Sequence, residues 1–174
     1  MKNLKFYFRE GQIARDKTIP LLAKRYLEKA RNNLVTMSIL SNLNDNKKAR
    51  EILNIPSYYD SNEWVVICGY YAMYSSALSL IAKIGYRSKN HTATLLLVDE
   101  YFVKKKLLDE TSMLLIKNAF LQKEEIDKLF DARHKREIAQ YSITKQTTKL
   151  IAEKIKKDAY EFVNKCEEVL ENLE

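Results

Sequence analysis

The feature that most constrains the fold of this chain is a segment, residues 64–82, that contains no formally charged side chain over nineteen positions. A helix of that length is close to what a bilayer crossing requires. The centre of the segment, however, carries six hydroxyl side chains, which are costly in hydrocarbon unless other helices satisfy them: Tyr70, Tyr71, Tyr74, Ser75, Ser76 and Ser79. We therefore expect a central helix buried on nearly all sides by protein, and no membrane span.

Turn-forming residues are scarce, since the 174 residues include three glycines and two prolines. A turn-rich all-β fold needs such residues at every reversal, whereas long helices need few. The length suits one hydrophobic core, and no repeat or linker divides the chain. We predict an all-α, single-domain bundle of helices over residues 20–174, preceded by a lead-in segment at residues 1–19.

Helix boundaries in the first half follow from caps and periodicity. Thr18 and Pro20 indicate a helix start, and apolar residues at steps of three and four predict a helix to about Leu43. The stretch 42–46 should interrupt it, and a short helical turn should follow at 47–53. We expect the central helix to open with a capping box formed by Asp60 and Glu63, and to end at Gly85.

The second half is predicted to hold four helical segments. Residues 88–90 supply an N-cap for a helix over 91–106, and further helices are expected at 109–121 and at 123–140. The last helix should begin near Thr147. Its inner face is predicted from steps of three and four and comprises Ile151, Ile155, Ala159, Phe162, Cys166, Val169 and Leu173.

The net charge of +7 is concentrated in the first 60 residues, where twelve Lys and Arg face six Asp and Glu. A basic excess favours an acidic partner such as RNA, although a well-solvated surface explains it equally well. The two cysteines, Cys68 and Cys166, lie in apolar helical stretches, and the N-terminus lacks a signal-peptide core. We expect a cytoplasmic protein in which both thiols are apolar fillers.

Two arginines of the segment 131–141 share one helical face, because Arg133 and Arg136 are three residues apart. Glu137 and Tyr141 neighbour them, and Lys145 and Lys149 continue the positive charge. Two guanidinium groups beside a hydroxyl form a candidate phosphate-binding patch. The alternative is an ordinary charged helix face with one arginine paired to Glu137.

Metal and cofactor chemistry has no sequence signature in this chain. The two histidines, His91 and His134, do not form a pair with helical spacing, and no glycine-rich phosphate loop occurs. We therefore predict no metal site and no cofactor.

Several motifs together resemble those of the HEPN-domain family. The sequence GYYAMYSSA at 69–77 is similar to that family's central "YYAMF–xxA", and GYRSKNH at 85–91 is similar to its "GY–xP/S–K–x–H" turn. A helix with FVKKKLL at 102–108 follows, and REIAQY at 136–141 resembles the signature "R-x-x-A-D-Y". The final helix, with Ala159 and Phe162, resembles the family's "A–xx–F-V" ending. The likeness covers roughly residues 20–172.

The resemblance implies an up-and-down bundle of four to five helices that forms a homodimer with a basic cleft between protomers. Members of the family include toxin-type ribonucleases of toxin–antitoxin modules, partners of small nucleotidyltransferases, and proteins that bind RNA or nucleotides without cutting them. By that likeness, Arg133, Arg136 and Tyr141 would bind RNA or a nucleotide. Gln140 and His134 would make secondary contacts.

The ribonuclease branch of that family pairs an arginine with a histidine that follows after four to six intervening residues. In this chain the position five residues after Arg136 holds Tyr141, whose ordinary pKa near 10 suits a general base poorly. We therefore expect binding rather than hydrolysis. The alternatives are a metal-independent endoribonuclease that uses Tyr141 or His91, and a non-catalytic adaptor that binds another protein. His91 could equally cap and pack the helix that it begins.

Overall fold

The computed structural model describes residues 3–133 and 141–173, with the side chains of 3–126 and 148–173. Seven α-helices occur in these residues: α1 (Leu4–Arg9), α2 (Ala23–Asp45), α3 (Lys47–Ile52), α4 (Asn62–Lys83), α5 (His91–Val98), α6 (Glu110–Arg133) and α7 (Tyr141–Glu171). A 3₁₀ turn, Ile19–Leu22, precedes α2, and a π-helical turn, Asp99–Val103, follows α5. The described chain is an all-α helical bundle, as its sequence predicts.

The charge-free segment forms α4, the helix at the centre of the bundle. It packs against α2, α5, α6 and α7. Val65, Ala72 and Leu80 are fully buried along it, and Tyr70 is 1% exposed. The serine hydroxyls find partners inside the protein, since Ser79 donates to the carbonyl of Ala23 and Ser76 to that of Met73. By length and composition α4 is also long enough to cross a membrane, and 72% of its most apolar window is buried in the bundle.

The inner face of α7 consists of the residues that the sequence predicts. Ile155, Ala159, Phe162, Cys166 and Val169 are buried against the core, and Ile151 and Leu173 pack at its edge. On the neighbouring face of α7, Tyr160 shares a hydrogen bond with Ser38 of α2. The heptad-like spacing was therefore a reliable guide to packing.

Three boundary predictions are wrong. The cap of α4 is Ser61, and Asp60 accepts a hydrogen bond from the backbone N–H of Asn62, so no capping box with Glu63 forms. Helix α6 runs continuously to Arg133, because nothing around Lys123 interrupts a helix. Helix α7 begins at Tyr141, six residues before the expected start at Thr147.

The predicted interruption at 42–46 is a single residue. Helix α2 continues to Asp45, and Asn46 then caps α3 by accepting from the N–H of Ala49 at 2.9 Å. Asparagine side chains at a helix end satisfy backbone donors that the helix leaves unpaired. The short helix expected at 47–53 is confirmed as α3, and Asn90 is confirmed as the cap of α5.

The lead-in segment packs onto the bundle through a small sheet that the sequence did not predict. Strand β1 (Ile13–Arg15) pairs antiparallel with β2 (Tyr86–Ser88), in the register Ile13 to Ser88 and Arg15 to Tyr86. Gly85 has a φ of +83°, the left-handed conformation expected after α4, and it turns the chain into β2. Ile13 and Tyr86 are buried, so the sheet closes one end of the bundle.

Candidate functional site

The arginine-rich prediction falls at the connection between α6 and α7. Arg133 is the last residue of α6 and Tyr141 the first residue of α7. His134, Arg136 and Gln140 lie outside the described residues, and the side chains of Arg133 and Tyr141 lie outside the described side chains. Of this group, the structure describes only the backbone of Arg133 and Tyr141.

A polar cleft of about 880 Å³ opens at the same end of the bundle. The walls of the cleft are the C-terminal turn of α2, the first residue of α3, the start of α4 and the third to fifth turns of α7. Lys149 in its wall lies eight residues after Tyr141 in one helix, which is about 12 Å along the axis. Helix α7 therefore connects the cleft wall to Tyr141, the first described residue after the predicted arginine group.

The side chains around this cleft carry more positive than negative charge. Lys47, Lys149 and Lys156 line it together with Asp45 and Glu153. Lys149 contacts Asp45 at 3.4 Å, with both side chains largely exposed, so this ion pair holds the lysine weakly. Lys156 donates to Ser41 at 3.2 Å, and Lys47 has no ion pair with any described residue.

Amide side chains give the cleft a rigid polar wall. Asn44 accepts two hydrogen bonds from Ser61, one from its backbone N–H at 3.1 Å and one from its hydroxyl at 2.8 Å. Its amide nitrogen donates to Asn62 at 3.0 Å. This network ties the end of α2 to the start of α4, and it holds donors and acceptors where a ligand in the cleft would meet them.

His91 lies elsewhere, in an aromatic cluster on the side of α4. Its ring stacks on Tyr74 with centroids 4.1 Å apart and planes at 6°. Tyr70 and Phe120 also contact the ring, at 5.7 and 5.8 Å between centroids. The hydroxyl of Tyr70 makes a hydrogen bond with Nδ1 of His91. The histidine is thus fixed by three aromatic rings and one hydrogen bond.

The proton in that hydrogen bond can be assigned from its surroundings. Tyr70 is almost fully buried, and its hydroxyl has no other acceptor among the described residues. A buried hydroxyl that did not donate would leave its hydrogen unsatisfied. Burial also raises the pKa of Tyr70 well above its usual value of 10, so the phenol keeps its proton. Tyr70 therefore donates to Nδ1, and the neutral imidazole carries its own hydrogen on Nε2.

The same environment keeps His91 neutral. Burial lowers its pKa from 6.5, the charge of Lys123 lowers it further, and Glu124 opposes the shift. A neutral imidazole with its hydrogen on Nε2 is a hydrogen-bond donor at that atom, and its basic nitrogen is occupied by Tyr70. This geometry suits a fixed donor or a packing residue better than a general base.

The structure does not bring His91 into the cleft. Tyr70, its partner, lies eight residues beyond Asn62 along α4, or about 12 Å up the helix from the cleft wall. His91 and the lysine-lined cleft are therefore two separate features of the bundle.

Of the residues in the cleft wall, the sequence indicates only Lys149 as part of a basic surface. Lys156, Asn44 and Asn62 come from three different helices, so no local spacing joins them. The asparagines of 42–46 were interpreted as a helix interruption. Their concentration just before a basic pair, Lys47 and Lys48, was the signal that could have indicated a polar surface.

Metal ligands and activated thiols do not occur in the described part of the chain. No group of three or more His, Cys, Asp or Glu side chains that could hold a metal ion is found among the described residues. Burial raises the pKa of Cys166 to about 12, and burial also raises the pKa of Cys68. Both thiols are therefore protonated at neutral pH and suit the role of apolar fillers.

Comparisons with known proteins yield no relative. No model of a known protein family matches the chain, and no significant similarity is found to a curated protein or to a solved structure. Function is therefore argued from the residues and their geometry.

Proposed function

We propose that this protein binds RNA or a nucleotide through phosphate groups, at the end of the bundle where α6 and α7 are joined. The supporting observation is the cleft of about 880 Å³ with three lysines in its wall, of which Lys149 lies about 12 Å along α7 from Tyr141. Flexible ammonium groups and guanidinium groups are the side chains that bind phosphates most often in proteins. The resemblance to HEPN-domain proteins, and to their toxin–antitoxin and nucleotidyltransferase-linked modules, belongs to the same proposal.

The amide wall gives this site a second kind of contact. Asn42, Asn46 and Asn62 lie beside the lysines, and amide groups accept and donate hydrogen bonds to sugar hydroxyls and base edges. Phosphate contacts position a nucleic acid, whereas contacts to bases and sugars distinguish one ligand from another. The cleft offers groups for both tasks.

The test is binding of a labelled single-stranded RNA, measured by fluorescence anisotropy at two salt concentrations. Two double variants remove the proposed contacts: Arg133→Ala/Arg136→Ala and Lys149→Ala/Lys156→Ala. Each lost phosphate contact should reduce the slope of log affinity against log salt by about 0.7.

The matched control is Lys154→Ala/Lys157→Ala, which removes two exposed lysines from the same helix outside the cleft. It lowers the net charge as much as the cleft variant does. Equal losses in the control and in the cleft variant would show that only net charge matters, and the proposed site would be abandoned. Absence of any RNA or nucleotide binding by the wild-type protein would have the same consequence.

A homodimer is part of the proposal, because a second copy would extend the basic surface. The outward face of α4 carries Tyr71, which is 37% exposed, beside the half-buried Ile67 and Leu78. This helix face has no charged side chain. Two copies of a protein with a net charge of +7 can therefore meet there without bringing like charges into contact. Light scattering after size exclusion should give twice the monomer mass, and Tyr71→Glu should halve it. Val35→Glu, at an exposed apolar residue of α2, is the control.

Metal-independent ribonuclease activity is the second candidate function. It is favoured by one observation on His91: Nε2, the nitrogen assigned the hydrogen, has no hydrogen-bond partner among the described residues, so it is available as a proton donor but not as a base. Incubating the protein with transfer RNA in the presence of a chelator tests it. Cleavage that disappears in Tyr141→Phe or His91→Ala would establish this activity, and intact RNA would exclude it under those conditions.

A further inference from the structure

A second pocket, of about 310 Å³, lies at the opposite end of the bundle from the lysine-lined cleft. Its walls come from the small sheet, the end of α4, the segment after α5 and Leu173, two residues beyond the end of α7. Helix α4 spans the distance between the two sites, and its 22 residues correspond to about 33 Å. A ligand in this pocket would not contact the cleft.

The floor of the pocket is apolar. Ile84, Phe102, Leu107 and Leu173 form it, and Phe102 is 1% exposed. Leu107 differs from the others because 42% of it is exposed, although it borders a concave surface. An apolar side chain at the mouth of a pocket gains stability when a ligand covers it.

The backbone around Leu107 is held in an unusual conformation. The π-helical turn closes with the N–H of Lys104 bonded to the carbonyl of Asp99, and Lys106 has a φ of +60°. A positive φ at a residue with a side chain costs free energy, and π-helical turns are frequent at functional sites. Phe102 stabilises the turn, since its carbonyl accepts from the N–H of Leu107 at 2.8 Å. This turn places Leu107 at the pocket mouth.

The rim of the pocket is polar and positively charged. The hydroxyls of Tyr86 and Tyr101 are 2.7 Å apart, and their mutual hydrogen bond uses only one of their two protons. The guanidinium of Arg15 lies 5.2 Å from the ring centre of Tyr86, and the ammonium of Lys105 lies 5.4 Å from that of Tyr101. One hydroxyl proton and two cations thus face the same opening.

These two cations lack acidic partners in the described part of the chain. No ion pair joins Arg15 or Lys105 to a described carboxylate. The acidic residues nearest in sequence have other partners. Asp16 accepts two hydrogen bonds from Thr18, Glu100 pairs with Lys104 at 2.5 Å, and Asp109 contacts Lys165 at 3.0 Å. Cations on ring faces are stabilised only weakly at exposed sites, so an anion between them would add a stronger contact.

We propose that this pocket binds a small carboxylate with an apolar body. The carboxylate would lie between Arg15 and Lys105 and accept the remaining tyrosine proton, and the body would cover Leu107 and Ile84. A carboxylate fits better than a phosphate, because a dianion costs more to remove from water into a mostly apolar pocket. The volume lies at the lower limit for small-molecule sites, which excludes a dinucleotide.

Octanoate is a suitable probe, with titration calorimetry as the measurement. Acetate has the same charge without the body, and 1-octanol has the body without the charge. Both should bind at least about tenfold more weakly than octanoate if charge and body contribute as proposed. Octanoate binding that equals acetate binding, or no octanoate binding at all, would overturn the proposal.

Substitutions in the pocket test whether octanoate binds there. Arg15→Met/Lys105→Met keeps much of the side-chain volume and removes both charges, so octanoate affinity should fall at least about tenfold. Lys117→Met, at an exposed lysine of α6, should leave it unchanged. Tyr101→Phe removes a hydroxyl without altering the floor, and a fall in affinity is expected there too. Unchanged affinity in both pocket variants would place the ligand elsewhere and refute the assignment.

Discussion

Gly69 of α4 lies directly against Ile155 of α7, so closely that a methyl group on Gly69 would be 2.5 Å from Cγ2 of Ile155 and 3.1 Å from the sulfur of Met37. The glycine lies inside a helix with an ordinary backbone, so it serves the close approach of two helices rather than a turn. Where one of two packed helices has a glycine at the contact, the two backbones can come nearer to each other than a larger residue would permit. This contact sets the spacing between the central helix and the longest helix of the bundle.

The first prediction concerns this contact. Gly69→Ala should favour the helix by about 1 kcal/mol through backbone entropy, but overpacking against Ile155 costs about 1 to 3 kcal/mol. We expect net destabilisation, measured by urea unfolding. In Gly69→Ala/Ile155→Ala the methyl group has room, so the double variant should be more stable than the sum of the single effects predicts. If the effects of the two substitutions on unfolding free energy simply added, the close contact between Gly69 and Ile155 would be contradicted.

The second prediction concerns the pH dependence of stability around His91. Its pKa is lowered in the folded protein from 6.5, so the unfolded chain binds a proton more readily. Stability should therefore decrease as the pH falls below about 6.5, and level off below the folded pKa. Unfolding monitored across this range tests the sign. His91→Phe retains an aromatic ring without a titrating group, and it should flatten this part of the profile.

Removing the partner of His91 gives the third prediction. Tyr70→Phe leaves Nδ1 of His91 without its donor in a half-buried site, which should cost about 1 to 3 kcal/mol of unfolding free energy. The ring stacking on Tyr74 remains, so the near-ultraviolet spectrum should show a folded protein. Tyr71→Phe, at the exposed neighbouring tyrosine, is the control. Equal stability of the two variants would argue against the assigned hydrogen bond.

The fourth prediction concerns the start of α6. Oδ1 of Asp109 accepts from the N–H of Ser112 at 2.7 Å, and Oδ2 contacts Lys165 of α7 at 3.0 Å. These hydrogen bonds, with those from the hydroxyls of Thr111 and Ser112, lower the pKa of Asp109 below its usual 3.8. The resulting stability is present above that pH and is lost as the pH falls through the lowered value.

Substitutions at Asp109 separate its two roles. Asp109→Ala removes the cap and should cost about 1 kcal/mol at neutral pH. Asp109→Asn keeps an acceptor for the N–H of Ser112 but cannot titrate, so it should be milder and should reduce the acid sensitivity. Thermal unfolding at neutral and acid pH measures both effects. If the Asn variant were as destabilised as the Ala variant, the ion pair between Asp109 and Lys165 would contribute more to stability than the cap does.

The fifth prediction concerns thiol reactivity. Cys68 is half-buried, whereas Cys166 is fully buried with a pKa of about 12. A thiol reagent should modify Cys68 slowly in the folded protein and should reach Cys166 only through unfolding. Counting the thiols modified before and after adding denaturant tests this order, and Cys68→Ser should leave the folded protein unreactive.

The long helices could be predicted from sequence because their signals are local and redundant. In α7 the spacing of Ile155, Phe162 and Cys166 defines one buried face without any knowledge of the neighbours. The charge-free segment similarly identified α4 as the centre. Where a boundary depended on one residue, prediction was less accurate, as with Asp60 and the expected break near Lys123.

The small sheet and the two pockets could not be predicted, because their residues come together from distant segments. Ile13 and Ser88 lie in strands of three residues, too short for an alternating pattern to be recognised. Tyr86 and Tyr101 share a hydrogen bond only because β2 and the π-helical turn meet in space. Long-range packing determines such contacts, and local patterns in the sequence do not indicate it.

The sheet also determines when the N-terminal segment can be secured during synthesis. Strand β1 leaves the ribosome first, but its partner β2 follows only after α2, α3 and α4 have been made. Until then Ile13 has no complete surface to cover it, and the long loop between the two strands adds to the entropy lost when they pair. Residues 13–15 therefore stay accessible to proteases and chaperones until residues 86–88 have been made, whereas the helices between the strands can form from local contacts.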